Sequence, residues 1–178
     1  MLHIRKIVAS DSDIIARLHT LSWQDSYRGI LRDSYLDGPI VEEHLALWNK
    51  RLLEPSSGDI GLIALSGENP IGFTFACIAH DARWGTLLDN LHVMPEERGK
   101  GIGTKLLNAL TNSLLNQGRE EGIYLWVFEA NQRTRKFYKR LGANVIERTV
   151  IDAPGGGKVA EWRYAWESVT HLNVAVAG

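Results

Sequence analysis

Leu91-His92-Val93-Met94-Pro95-Glu96-Glu97-Arg98-Gly99-Lys100-Gly101-Ile102-Gly103-Thr104 is the stretch that decides the fold. A strand-like run stops at Pro95, a turn carries alternating glycines, and a strong helical pattern opens. Glycines at 99, 101 and 103 remove the side chains that would keep an anion off the backbone. The first-turn amides of the helix point outward unpaired, beside the positive end of its dipole. Together they predict a phosphate site made of main chain. The Walker pattern fails because Lys100 is followed by Gly101 rather than Ser or Thr. The dinucleotide fingerprint fails at Leu106, and it belongs after a first strand rather than in mid-chain. What remains is Arg-x-x-Gly-x-Gly opening a helix, and the same glycines also suit a merely tight lead into it.

Outward from this turn the chain reads as alternating elements. Ile102, Leu106, Leu107, Leu110 and Leu114 form one helical stripe, closed at Gln117-Gly118. Gly122 to Phe128 reads as an aromatic and β-branched strand, so residues 87 to 128 predict a parallel strand pair with a right-handed crossover. Asn131 to Leu141 reads as a short helix ended by Gly142. Strands at Asn144 to Ile151 and Val159 to Trp166 flank the hinge Pro154-Gly155-Gly156-Gly157. Upstream, Thr86 to Val93, Ile71 to Ala79 and Ile60 to Leu65 predict an antiparallel meander, since the links are too short for crossovers. Leu2 to Val8 reads as a first strand. A helix capped by Ser10 or Asp11 follows, with Ile14, Ile15, Leu18, Leu21 and Trp23 near one face. Residues 28–39 read as a loop. A second helix runs from Val41 to Leu53 and stops at Pro55-Ser56-Ser57-Gly58. The order β-α-α-β-β-β-α-β-α-β-β predicts one α/β domain over residues 1–167, with a loosely held tail over 168–178.

Composition narrows the function. The 178 residues carry a net charge of -1, which gives no global field to attract nucleic acid. The single cysteine, Cys77, cannot form an internal disulfide. The charged N-terminus lacks a signal-peptide core, and no apolar run is long enough to cross a bilayer. A cytoplasmic protein without nucleic-acid or membrane partners is expected. The six histidines show no metal-ligand spacing, so no metal is expected. His92 alternates away from Leu91 and reads as packed. Cys77, inside an apolar run, reads as a buried small hydrophobe.

Arg98-Gly99-Lys100-Gly101-Ile102-Gly103 after Leu91-His92-Val93 resembles motif A of the GNAT superfamily of acyl-CoA N-acetyltransferases. A second stretch, Asn131-Gln132-Arg133-Thr134-Arg135-Lys136-Phe137-Tyr138 and then Gly142, is similar to the family's Asn-x-x-Ala-x-x-Phe-Tyr-x-x-x-Gly, with Thr134 in the Ala slot. Ser22 to Leu31 looks like the acceptor-side helix and loop. The resemblance implies a mixed, mostly antiparallel twisted sheet with a splayed central parallel pair, flanked by helices. It implies acetyl-CoA as co-substrate, its pyrophosphate on the backbone from Arg98 through Gly103 to Thr104. Groups near Leu91 and Val93 would bond the pantetheine arm. An amine of a small molecule or peptide would be the acceptor, and a homodimer is plausible.

An amine must attack the thioester directly, so the protein has to supply a proton acceptor, oxyanion stabilisation and a proton for the leaving thiolate. By resemblance Tyr138 supplies the last, although a core aromatic beside Phe137 is the plainer reading of that pair. An amide near Val93 would serve the oxyanion. Asp89, read as sharing a strand face with Leu91 and Val93, and Glu129, at the opposing strand end, are the candidate bases; each also suits a solvated strand end. Asn131 either reaches the pantetheine or caps its helix. Lys100 and Lys105 either approach the phosphates or stay in solvent. Trp23 and Tyr27 are expected to wall the acceptor pocket, with Trp84 near its border. A catalytically silent acyl-CoA-binding module of the same fold is the rival reading.

Overall fold

The computed structural model describes residues 1–54 and 58–177, so 55–57 of the proposed helix stop lie outside the described residues. In chain order the elements are β1 (Leu2–Lys6), α1 (Ser12–Ser26), α2 (Asp33–Leu36), α3 (Ile40–Leu53), β2 (Ile60–Ser66), β3 (Asn69–Asp81) and β4 (Gly85–Val93). Then come α4 (Ile102–Asn116), β5 (Ile123–Phe128), α5 (Gln132–Arg140), β6 (Asn144–Asp152), β7 (Lys158–Trp166) and α6 (Val169–Val176). The strands form one seven-stranded sheet in the order β1-β2-β3-β4-β5-β7-β6. Neighbours are antiparallel except β4 and β5, the predicted parallel pair.

The sheet buries both faces. On one, the α4 stripe Leu106, Leu107, Leu110 and Leu114 is fully buried against strand residues such as Ile123 and Leu125. Each such leucine contributes about 1.5–3 kcal/mol of transfer free energy, which anchors α4 at a fixed height on the sheet. On the other face α1 and α3 bring Ile15, Leu18 and Trp48 onto Ile63, Phe73 and Phe75.

Four expectations give way. The loop over 28–39 contains α2, because Tyr35 and Leu36 are buried with Leu31 and Ile40 in an apolar cluster of their own. The tail is not loose: α6 buries Val169, Leu172 and Val176, and Asn173 donates to Thr111 and Asn112 at 2.8 and 2.9 Å. Asp11 does not cap α1; its carboxylate accepts from the Val8 amide at 2.8 Å and is gripped by Arg5 at 2.7 and 2.8 Å, tying β1 to the helix. Finally, strict alternation fails along β4. Phe75 opposes Asn90 while Ala76 opposes Leu88, so Asp89 is the extra residue of a β-bulge.

The parallel pair is joined over only two steps, Thr86 with Ile123 and Leu87 with Tyr124. Its closed end is pinned where the chains nearly touch: a Cβ on Gly85 would lie 2.2 Å from the Gly122 carbonyl, and the Thr86 amide donates to that carbonyl at 2.9 Å. Past Leu87 and Tyr124 the strands part. The gap opens toward the head of α4.

Candidate functional site

A cleft of about 1000 Å³ fills this gap. Leu91 and Val93 line it from β4, Leu125 and Val127 from β5, and Arg98, Gly99, Gly101, Ile102, Gly103 and Thr104 close its end. The turn is shaped for an anion. Gly99 and Gly101 take φ of +80° and +77°, and a Cβ built on either meets nothing within 4 Å. Among the described residues the amides of Gly99, Lys100, Gly101, Ile102, Gly103 and Thr104 have no hydrogen-bond partner, whereas the Arg98 amide is taken by the Pro95 carbonyl at 3.3 Å. The expected cradle therefore begins one residue later than Arg98. Residues 99–104 fit a diphosphate: they present converging donors, an open backbone surface and the positive end of a 15-residue helix.

Arg98 works through its side chain. Its Nε donates to the Val93 carbonyl at 2.9 Å, and its guanidinium pairs with Asp25 and reaches Ser26 Oγ at 3.2 Å. It staples the glycine turn to the end of α1. Lys100 pairs with Glu97 at 3.0 Å and Lys105 borders a separate groove with α6, so neither lines the cleft. The basic lining comes instead from Arg133, Lys136 and Arg140, at i, i+3 and i+7 on α5. That spacing was visible in the sequence as one helix face.

Asn131 lines the cleft and caps α5, its Oδ1 accepting from the Thr134 amide at 3.2 Å. Tyr138 also lines it, 5% exposed, packed edge-on to Phe137 and Trp166. Burial pushes its phenol well above the ordinary tyrosine value, so the hydroxyl keeps its proton at neutral pH.

The opposite half of the cleft is aromatic. Trp23 and Tyr27 line it as expected, with ring centroids 5.0 Å apart, and Tyr27 packs on Phe128 at 4.9 Å. The Trp23 indole N–H is buried with no partner among the described residues. Beneath them lies a polar cluster that sequence spacing did not disclose, since its contacts join residues 25, 29 and 70 positions apart. His19 stacks on His44 at 3.7 Å, Trp48 Nε1 donates to His19 Nδ1 at 3.1 Å, and Ser22 Oγ shares a hydrogen bond with His92 Nδ1 at 2.9 Å. Burial lowers all three imidazoles, His44 to about 4 and His92 to about 3, so they are neutral at physiological pH. His92 is packed, as read, although it also touches the cleft. Among the described residues no group of three or more His, Cys, Asp or Glu is placed to hold a metal.

The two candidate bases are both held in ion pairs, Asp89 on the cleft lining and Glu129 outside it. Asp89, at the bulge, lines the cleft with Leu91 and Val93, and Arg51 of α3 binds its carboxylate at 2.6 Å. Glu129 does not line the cleft; Arg148 holds it at 2.8 and 2.9 Å, Trp162 Nε1 donates to it at 3.0 Å, and its carboxyl is lowered to about 2. Trp84 is also outside the cleft, stacked with Arg83 and Arg163. Asp25, Asp89, Glu97 and Glu161 line the cleft, and among the described residues Glu161 of β7, opposite Phe128, is the one of these four without an ion pair. Two-residue alternation along β7 could have put it on that face, but not named the neighbouring strand. Cys77 is partly buried, and burial pushes its thiol up to about 11, which leaves it unreactive.

Residues 16–143 match the sequence model described as "Acetyltransferase (GNAT) family". A protein of Mycobacterium tuberculosis named "Probable N-acetyltransferase" is 31% identical over 159 residues, 88% of this chain and 87% of that protein. The PaiA N-acetyltransferase of Thermoplasma acidophilum, solved in complex with coenzyme A, superposes with a TM-score of 0.71 at 24% identity, over 90% of this chain and 98% of that one. YncA of Salmonella typhimurium, solved with acetyl-CoA, gives 0.68 at 17% identity over 94% of each chain. This fold is theirs.

Proposed function

The chain belongs to the acetyltransferase (GNAT) family, and from that premise we propose that it moves an acetyl group from acetyl-CoA to a primary amine of a small molecule or peptide, by direct attack in a ternary complex. The observation that carries this reading is the row of free amides over residues 99–104 at the mouth of a parted parallel strand pair. The amides suit the pyrophosphate, the basic face of Arg133, Lys136 and Arg140 suits further phosphate, and the parted strands suit an extended pantetheine arm.

When bound, acetyl-CoA supplies the thioester. The chain's own groups orient the reactants and manage the protons. The neutral amine nitrogen bonds the acetyl carbon, the carbon–sulfur bond breaks, nitrogen gives one proton to solvent water and sulfur takes one from the protein. The main-chain amide near Val93 is assigned to the charge that develops on the carbonyl oxygen. Tyr138, held protonated by burial, is assigned to return the proton to sulfur.

A panel of primary amines assayed by thiol release, alongside thermal melting with acetyl-CoA, tests the reading. Acetyl-CoA at a hundred times its Kd raises Tm by roughly 5–10 °C for a domain of this size. No shift at millimolar concentration refutes the cofactor assignment. A shift without turnover on any amine makes the chain a silent acyl-CoA-binding module instead.

A further inference from the structure

The cleft contains acids whose charges are already answered. Asp25 pairs with Arg98, Asp89 with Arg51, and Glu97 with Lys100. Glu161 differs: among the described residues its carboxylate makes no hydrogen bond and no ion pair, though it lines the same cleft and is only partly exposed. It sits directly across from Phe128 on β5, whose ring packs on Tyr27. Tyr27, Glu161 and Tyr138 line the same cleft. The unanswered acid, the aromatic wall and the proposed proton donor therefore face one space.

Resting on the acetyltransfer reading above, we propose that Glu161 receives the ammonium group of the acceptor, which gives one proton to solvent water before its nitrogen attacks, and that this acceptor is a cationic amine on an apolar or aromatic body. Three features of the site select that chemistry. A half-buried carboxylate without a counter-ion gains most from a ligand that brings the missing positive charge. Burial also raises the Glu161 carboxyl above the ordinary glutamate value, the direction expected of an acid waiting for a cation. The faces of Trp23, Tyr27 and Phe128 attract a cation and cover an apolar body, and they offer an acidic group nothing. The guanidinium and ammonium groups that would draw a carboxylate, Arg133, Lys136 and Arg140, lie on α5, the helix assigned above to the phosphates.

Phenethylamine, phenylalanine and phenylpropionate share one aromatic body and differ in charge. Each is titrated by calorimetry into the protein saturated with CoA, using wild type, Glu161→Gln and Glu161→Asp. Phenethylamine should bind wild type at least about tenfold tighter than the other two, and Glu161→Gln should weaken it roughly 10- to 100-fold, the range of one charge-assisted hydrogen bond. Glu161→Asp should keep part of that affinity. The CoA-induced melting shift should be equal in all three proteins, which also shows that the variants fold. Phenylpropionate binding as tightly as phenethylamine, an unaltered Glu161→Gln, or no binding of any of the three to wild type overturns the proposal. Failure of wild type to bind CoA would instead overturn the acetyltransfer reading on which it rests.

Discussion

The two halves of the cleft are made of different material. The half at the head of α4 offers main-chain amides, supplied by residues 99–104 in a row. The opposite half offers side chains from α1, β4, β5 and β7: Trp23 and Tyr27, His92, Phe128 and Glu161. A backbone grip needs glycines and a helix start, both local, and it recognises a diphosphate whatever else the ligand carries. A side-chain grip is assembled across more than a hundred positions and recognises the particular shape and charge of one acceptor. Replacing a side chain in the first half should therefore matter little unless it invades the backbone surface. In the second half every truncation should register.

The strongest break of this contrast is Gly101→Glu. It places a carboxylate on an open surface where like charges about 4 Å apart cost about 4 kcal/mol at an effective dielectric of 20. Acetyl-CoA affinity measured by calorimetry should fall roughly a thousandfold. An unchanged Kd would mean the turn is only structural.

Tyr138→Phe comes next and separates chemistry from binding. Loss of a positioned acid costs about 100-fold in kcat, and the Kd for acetyl-CoA should stay within twofold. Equal kcat in the two proteins would remove the proton-donor role.

Tyr27→Leu sharpens the acceptor half. It removes the ring packed between Trp23 and Phe128, so KM for the amine should rise about tenfold with kcat for the bound complex nearly retained. A change confined to the KM for acetyl-CoA would assign that wall to the wrong ligand.

The histidine cluster predicts a pH dependence of stability. Burial holds His19, His44 and His92 below the ordinary value of 6.5, so below that pH the unfolded chain binds protons that the folded chain refuses. Their contribution is complete above about pH 6.5 and is lost as pH falls toward about 4 for His44 and about 3 for His92. Each imidazole adds a slope of up to about 1.4 kcal/mol per pH unit across its window. Urea midpoints between pH 7 and pH 5 should fall, and His44→Gln should flatten the fall. A slope identical in the variant would exclude His44 from the linkage.

Glu129→Gln should do least. Its carboxylate is committed to Arg148 and Trp162 outside the cleft, so kcat/KM for amine and acetyl-CoA alike should remain within about twofold. A hundredfold loss would restore it as the base.

Legibility in the sequence follows the same division. The glycine turn, the α4 stripe and the Asn131 to Tyr138 helix are local patterns, and all three stand where periodicity and turn chemistry put them. Asp89 does line the cleft, but its pairing with Arg51 was not legible, because period-two reading assumes an unbroken strand and a bulge shifts the alternation beyond it. Glu129 was misplaced because its partners, Arg148 and Trp162, come from strands whose pairing no local pattern announces. The tail over 168–178 looked free because eight residues are too few to hold a helix alone; docking on α4 is what orders α6.

By itself the sequence determined the order of the elements other than α2 and α6, the parallel pair around α4 and the open glycine turn at its head, because these follow from local periodicity and turn chemistry. Tertiary structure alone decided which acid of the cleft is left without a counter-ion among the described residues. Strand order brings Glu161 of β7 beside Phe128 of β5, and ion pairs answer the charges of Asp89 and Glu129. A carboxylate's role depends on its neighbours' charge and distance, and those are properties of the folded sheet rather than of the chain.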